Sequence, residues 1–136
     1  MNGAYLLVMK LKSNKNIRVG SLGKLEFKKG FYFYVGSAIG STTIENRCKR
    51  HLIKNKKMKW HIDYLRKEAE IVNIFAIPSR KKIECKIARK ILKKTDSFIP
   101  KFGSSDCNCK SHLFYFKDKK YLSKLPPIFS KGIQIY

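Results

Sequence analysis

Acidic residues are scarce in this sequence: nine Asp and Glu stand against 31 Lys and Arg in 136 residues, a formal charge of +22. That imbalance on a folded chain points to a polyanion as partner, either nucleic acid or an anionic surface. Long apolar runs are also missing. The longest charge-free stretch, Gly30 to Ile44, is interrupted by Gly36, Ser37, Gly40 and Ser41 and falls short of the roughly twenty residues a bilayer span needs. No membrane partner is therefore expected. The four prolines include one adjacent pair, Pro126-Pro127, so no linker divides the chain. The apolar run Ala4 to Met9 lacks the basic flank and cleavage site of a signal, so the four cysteines are expected in a reducing compartment rather than in disulfides. A cytoplasmic protein with thiols or metal ligands is the expectation.

What is present is a core. With 43% hydrophobic and 12% aromatic residues the chain is not disordered, and its length accommodates one domain, 1–136, read as a core over 1–105 and a C-terminal extension over 106–136. AYLLVMKLK, with apolar groups on both faces, predicts a central strand, followed by a strand at NIRVG, a Gly-punctuated stretch SLGKLEFKKG and a strand FYFYVGSA. Thr42-Thr43-Ile44-Glu45 has capping-box spacing and opens a helix to about Lys54, whose seam is Ile44, Cys48 and Leu52 with Arg47 and His51 at its edge. WHIDYLRKEAE reads as a short helix, IVNIFAIP as a buried strand, KKIECKIARKILKKT as a strong helix and SHLFYF as a strand. KDKKYLSKLPPIF is read as surface turns or a short helix. The fold class is α/β of the α+β type: a small mixed sheet flanked by helices.

Glu84 breaks the pattern of its helix, falling in the arc of Ile83, Ile87, Ala88 and Ile91, where a carboxylate must be paired, protonated or metal-bound. An ion pair with a nearby Lys is the structural alternative. Tyr34 followed by Gly36-Ser37 suggests a phosphate approaching the backbone. The basic run around Lys56 and Lys57, and the cluster Trp60, His61, Asp63, suit contacts to a nucleic-acid backbone and an unstacked base; the other reading of Trp60 is core packing. Cys107-x-Cys109-x-x-His112 with Cys85 has donors for a tetrahedral zinc site, against packed free thiols.

Taken together, Gly3-Ala4-Tyr5, Tyr34-Val35-Gly36, Arg47 with His51, and Glu84, in that order and on these elements, resemble the GIY-YIG nuclease superfamily over residues 3 to 105. YVGSA, WHIDYL and FGSSDCNCKSHL resemble a small archaeal and bacterial branch of it. The resemblance implies hydrolysis of DNA phosphodiesters with one divalent metal, Mg²⁺ or Mn²⁺, in repair. It implies that Tyr5 activates water, Arg47 neutralises the phosphate, Glu84 holds the metal, and Tyr34 and His51 position phosphate and water. The sequence departs from the superfamily at Ala4 and Val35, where Ile is usual, in the long interval from Tyr5 to Tyr34, which implies an extra hairpin over residues 13 to 30, and in lacking the asparagine that follows the Glu helix, for which Ser104, Ser105, Asp106 or Asn108 are the candidate substitutes. Two alternatives follow: a damaged-base glycosylase or abasic-site lyase using His61 or Asp63, and a non-catalytic nucleic-acid-binding protein. DNA is the expected partner, with RNA left open.

Overall fold

The computed structural model describes residues 1–118, 120, 123, 125 and 133–136. Its elements run β1 (Gly3–Leu11), β2 (Lys15–Arg18), β3 (Lys24–Phe27), β4 (Gly30–Ala38), α1 (Ile44–Leu52), α2 (His61–Arg66), β5 (Glu70–Pro78), α3 (Glu84–Leu92), β6 (Ser97–Phe98), β7 (Leu113–Phe116) and β8 (Ile133–Gln134). The expectation for KDKKYLSKLPPIF falls largely outside the described residues.

β1 is central because both of its faces are apolar. Leu6, Leu7, Val8 and Met9 are completely buried, each contributing about 1.5–3 kcal/mol of transfer free energy. It lies between β4 and β5 in a six-stranded sheet of order β6-β7-β4-β1-β5-β8. Every pairing among the described residues is antiparallel, so the α+β class holds while the expected mixture of strand directions does not. β2 and β3 form the separate hairpin expected over residues 13–30. β7, beyond position 105, is an inner strand of the sheet.

Alternation assigns the two faces. Tyr5, Leu7 and Met9 pack with Tyr32, with Ile44 and Cys48 of α1, and with Ile62 and Leu65 of α2. Leu6 and Val8 pack with Phe33, Val35 and the Ile87, Ala88, Ile91 seam of α3. No helix among the described residues is long and apolar enough to cross a membrane.

One end of this sheet is open. β7 pairs with β4 only over Phe31–Tyr34, extended by a bond from Val35 N–H to the His112 carbonyl. β4 continues to Ala38 beyond that point. Around this uncovered edge the N-terminus of α3, although the helix packs on the opposite face, shares a cavity with side chains of the Tyr5 face.

Candidate active site

The cavity at this end has a volume of about 290 Å³. Tyr5 from β1 and Tyr34 and Ser37 from β4 line it, with Arg47 from α1 and Glu84 from α3. Lys59, Trp60 and His61 at the start of α2 and Gly103, Ser105 and Asp106 from the 99–112 loop complete the wall. Three cations surround the Trp60 ring, with Arg50 at 4.4 Å, Arg47 at 5.0 Å and Lys59 at 5.3 Å from its centroid. The half-buried indole thereby holds positive charge at the cavity rim.

Tyr5 is seated by its neighbours. Its hydroxyl is 2.8 Å from His51 Nε2. Gly36, directly opposite in the β1–β4 register, leaves room for the ring: a Cβ there would lie 2.2 Å from Tyr5 Cζ and 2.4 Å from its hydroxyl. The glycine of the Tyr34-Val35-Gly36 run therefore admits the phenol rather than a phosphate. His51 is fully buried behind Tyr5, and its Nδ1 has no hydrogen-bond partner among the described residues. A charged imidazolium would leave that N–H uncompensated. Burial, followed by the positive charge of Lys56, lowers the His51 pKa to about 3 and keeps the ring neutral. Burial also raises the Tyr5 phenol well above its usual range, helped by Tyr34 and Cys48 and opposed by Arg47. Tyr34 is likewise raised, by burial and then by Glu84.

Glu84 is the first residue of α3, in line with Ile87, Ala88 and Ile91 but at the open end of that face, with Ile83 at the N-cap position. Its carboxylate occupies the positive end of the helix and is 28% exposed. Burial and then the like charge of Asp106 raise its pKa, and Arg47 and Lys82 oppose them. A half-buried carboxylate facing a second one in a cavity fits a hard divalent cation, which would relieve their repulsion. Glu84, with Asp106 beside it, would hold such an ion.

Other expected site residues are placed differently. Asp63 is buried outside the cavity lining. Arg50 grips both of its oxygens at 2.8 Å, and the Lys59 and Trp60 amides donate to Oδ2 at 2.8 and 2.9 Å. Burial works to raise its pKa, but these bonds outweigh it and lower it. Asp63 thus tethers α1 to the start of α2, and its lone pairs are engaged there rather than in acid/base work. Lys56 donates to the carbonyls of Arg50, His51 and Ile53, closing the C-terminus of α1. Arg66, overlooked in the sequence, donates there too, to His51 and Leu52. Lys57 is exposed. His61 accepts from the Gly103 amide at 2.9 Å through Nδ1, which puts the proton of the neutral ring on Nε2. The N-cap of α1 is Thr43, which bonds the Asn46 amide, whereas Glu45 turns to the Met1 amino group.

Behind Glu84 lies a second cluster. Cys85, Cys107, Cys109 and His112 bring their ligand atoms within 4.8 Å of one another. His112 Nε2 is 3.6 Å from Cys107 Sγ and 3.8 Å from Cys85 Sγ. Three sulfurs and an imidazole make a cluster able to hold a metal ion, and such soft donors suit zinc better than magnesium.

No curated protein and no solved structure matches the chain. A family model matches residues 4–132, nearly the whole chain, and the protein belongs to the family of that model, the domain of unknown function DUF123.

Proposed function

We propose that this protein is a DNA endonuclease that hydrolyses phosphodiester bonds with one Mg²⁺ or Mn²⁺, acting in repair. The observation that carries the reading is the convergence of Tyr5, Tyr34, Arg47 and Glu84 from four separate elements on one cavity, in a chain of charge +22. A binding module has no need of a half-buried carboxylate beside a polyanion.

The chemistry follows from the site. A phosphate entering the cavity meets Arg47 and Lys59, which neutralise it and stabilise the charge that builds on its oxygens. The raised pKa keeps Tyr5 a neutral phenol at physiological pH, so a resident phenolate is not the base. Tyr5 instead orients: its hydroxyl, held by His51 Nε2, hydrogen-bonds the attacking water, whose proton leaves to solvent through the open cavity. The water oxygen bonds to phosphorus, the opposite P–O bond breaks, and the leaving oxygen takes a proton from solvent. Glu84, with Asp106, would hold the divalent ion, which when bound supplies Lewis-acid stabilisation of the leaving oxygen. Tyr34 and Ser37 flank the phosphate position.

The test is incubation of the protein with plasmid and with lesion-bearing duplexes, with Mg²⁺, Mn²⁺ or chelator. Metal-dependent strand cleavage supports the reading. Chelator-resistant cleavage confined to lesion-bearing DNA would replace it with base excision or lyase chemistry, and tight binding with no cleavage would leave a binding protein.

A further inference from the structure

We propose that Cys85, Cys107, Cys109 and His112 bind one zinc ion, and that through the second nitrogen of His112 this ion positions Glu84 and fastens one wall of the active-site cavity. The zinc site stands on its own geometry. The link to catalysis rests on the reading of Glu84 given above.

Zinc at about 2.3 Å from sulfur and 2.0–2.1 Å from nitrogen in a tetrahedron requires S···N separations of about 3.6 Å. The observed Cys107 and Cys85 separations from His112 Nε2, 3.6 and 3.8 Å, match that requirement. The loop carrying two of the thiols is closed at its neck by backbone bonds, Lys101 N–H to the Lys110 carbonyl at 2.7 Å and His112 N–H to the Phe102 carbonyl at 2.8 Å. Completely buried Phe102 anchors it. The donors are thus held together by the fold, with little chain left to order on binding.

His112 joins this cluster to the cavity. It is 2% exposed, its Nε2 faces the thiols, and its Nδ1 lies 3.9 Å from Glu84 Oε2. A metal bound at Nε2 fixes the ring proton on Nδ1, and the Glu84 carboxylate, 3.9 Å away on that side, has to close by about 1 Å to accept it and complete a carboxylate–histidine–metal arrangement. Glu84 and Cys85 are consecutive, so the ion also holds the first turn of α3. The same loop supplies Gly103, Ser105 and Asp106 to the cavity wall.

Protein purified without chelator and analysed for metals should contain about one zinc per chain. Cobalt(II) should replace it with the visible absorption of a tetrahedral thiolate site. Zinc below about 0.1 equivalent, together with no uptake of cobalt by reduced protein, would overturn the site. Cys109→Ser should lower zinc affinity and the melting temperature. If that variant fails to fold, the wild-type metal content and cobalt spectrum still decide. Two further variants test the link. Glu84→Gln should lower zinc affinity by roughly tenfold or more through His112, read by competition with a chromophoric chelator and independent of any nuclease assay. His112→Cys should retain zinc in a four-thiolate site yet weaken the activating effect of Mg²⁺ on cleavage. Unchanged zinc affinity in Glu84→Gln would refute the link. Zinc that responds to Glu84→Gln in a protein without nuclease activity would refute the functional reading and leave this inference standing.

Discussion

Substituting Gly36 by Ala probes the seat of Tyr5. The added methyl carbon would stand 2.2 Å from Tyr5 Cζ and 2.6 Å from Cε2, whereas carbon atoms pack at about 3.5–4.0 Å. The ring has to retreat by more than about 1 Å, but it is 2% exposed and bonded to His51, so the surrounding core must give way. Overpacking of this kind costs about 1–3 kcal/mol. The assay is urea unfolding of wild type, Gly36→Ala, Tyr5→Ala and the double variant, with cleavage rates measured in parallel. Gly36→Ala should destabilise by that amount alone and by far less in the Tyr5→Ala background, giving a coupling above about 0.5 kcal/mol. Because the phenol is displaced from His51, activity should fall with it. Tyr5→Phe should not relieve the clash, since Cζ itself is in the way. Additive single effects would refute the assignment of Gly36 as the seat of Tyr5.

Further outcomes follow from the same geometry. Asp63→Asn weakens the charge-assisted bonds from Arg50, which keeps some access to water, and should cost about 1.5–3 kcal/mol in urea unfolding; a cost within about 0.5 kcal/mol would contradict its tethering role. His51 has a folded pKa lowered to about 3 from an ordinary value near 6.5, so the unfolded chain binds a proton that the native chain refuses. Its contribution to stability is therefore full above pH 6.5 and lost as pH falls toward 3, by up to about 1.4 kcal/mol per pH unit, and the slope should be shallower in His51→Gln. Charge reversal at exposed Lys57 and Lys59 should weaken DNA binding and reduce the salt dependence, by about 0.9 in log–log slope for each phosphate that is no longer neutralised. Lys56→Glu should instead lower the melting temperature, because its ammonium closes α1.

The strands were legible because alternation and faces coincide: Tyr5, Leu7 and Met9 read as one face of β1 and pack as one. The helices at 44 and 84 were legible from their apolar seams at helical spacing, and the hairpin over 13–30 from the length of the interval between Tyr5 and Tyr34. Strand direction was not, since it depends on how the chain crosses between strands. Two-residue β6 and β8 are too short to carry a period. At the site, the order of Tyr5, Tyr34, Arg47 and Glu84 was visible, and the fold groups all four. The capture of Asp63 by Arg50 and of Lys56 by the end of α1 was hidden, because both depend on the path of an irregular loop between helices. The steric role of Gly36 lies across a strand pair, in Tyr5. The donor set Cys85, Cys107, Cys109 and His112 was legible from its residue types, and the fold brings the four together.

Glu84 bears the greatest weight in the proposed chemistry. Cleavage of plasmid DNA by wild type and Glu84→Gln across a Mg²⁺ titration, at equal DNA binding and with folding verified by thermal melting, measures its part directly. The expected result is a loss on the order of a hundredfold or more in Glu84→Gln, matched by chelation of wild type. Wild-type rates in folded Glu84→Gln would contradict a metal-holding role for this carboxylate.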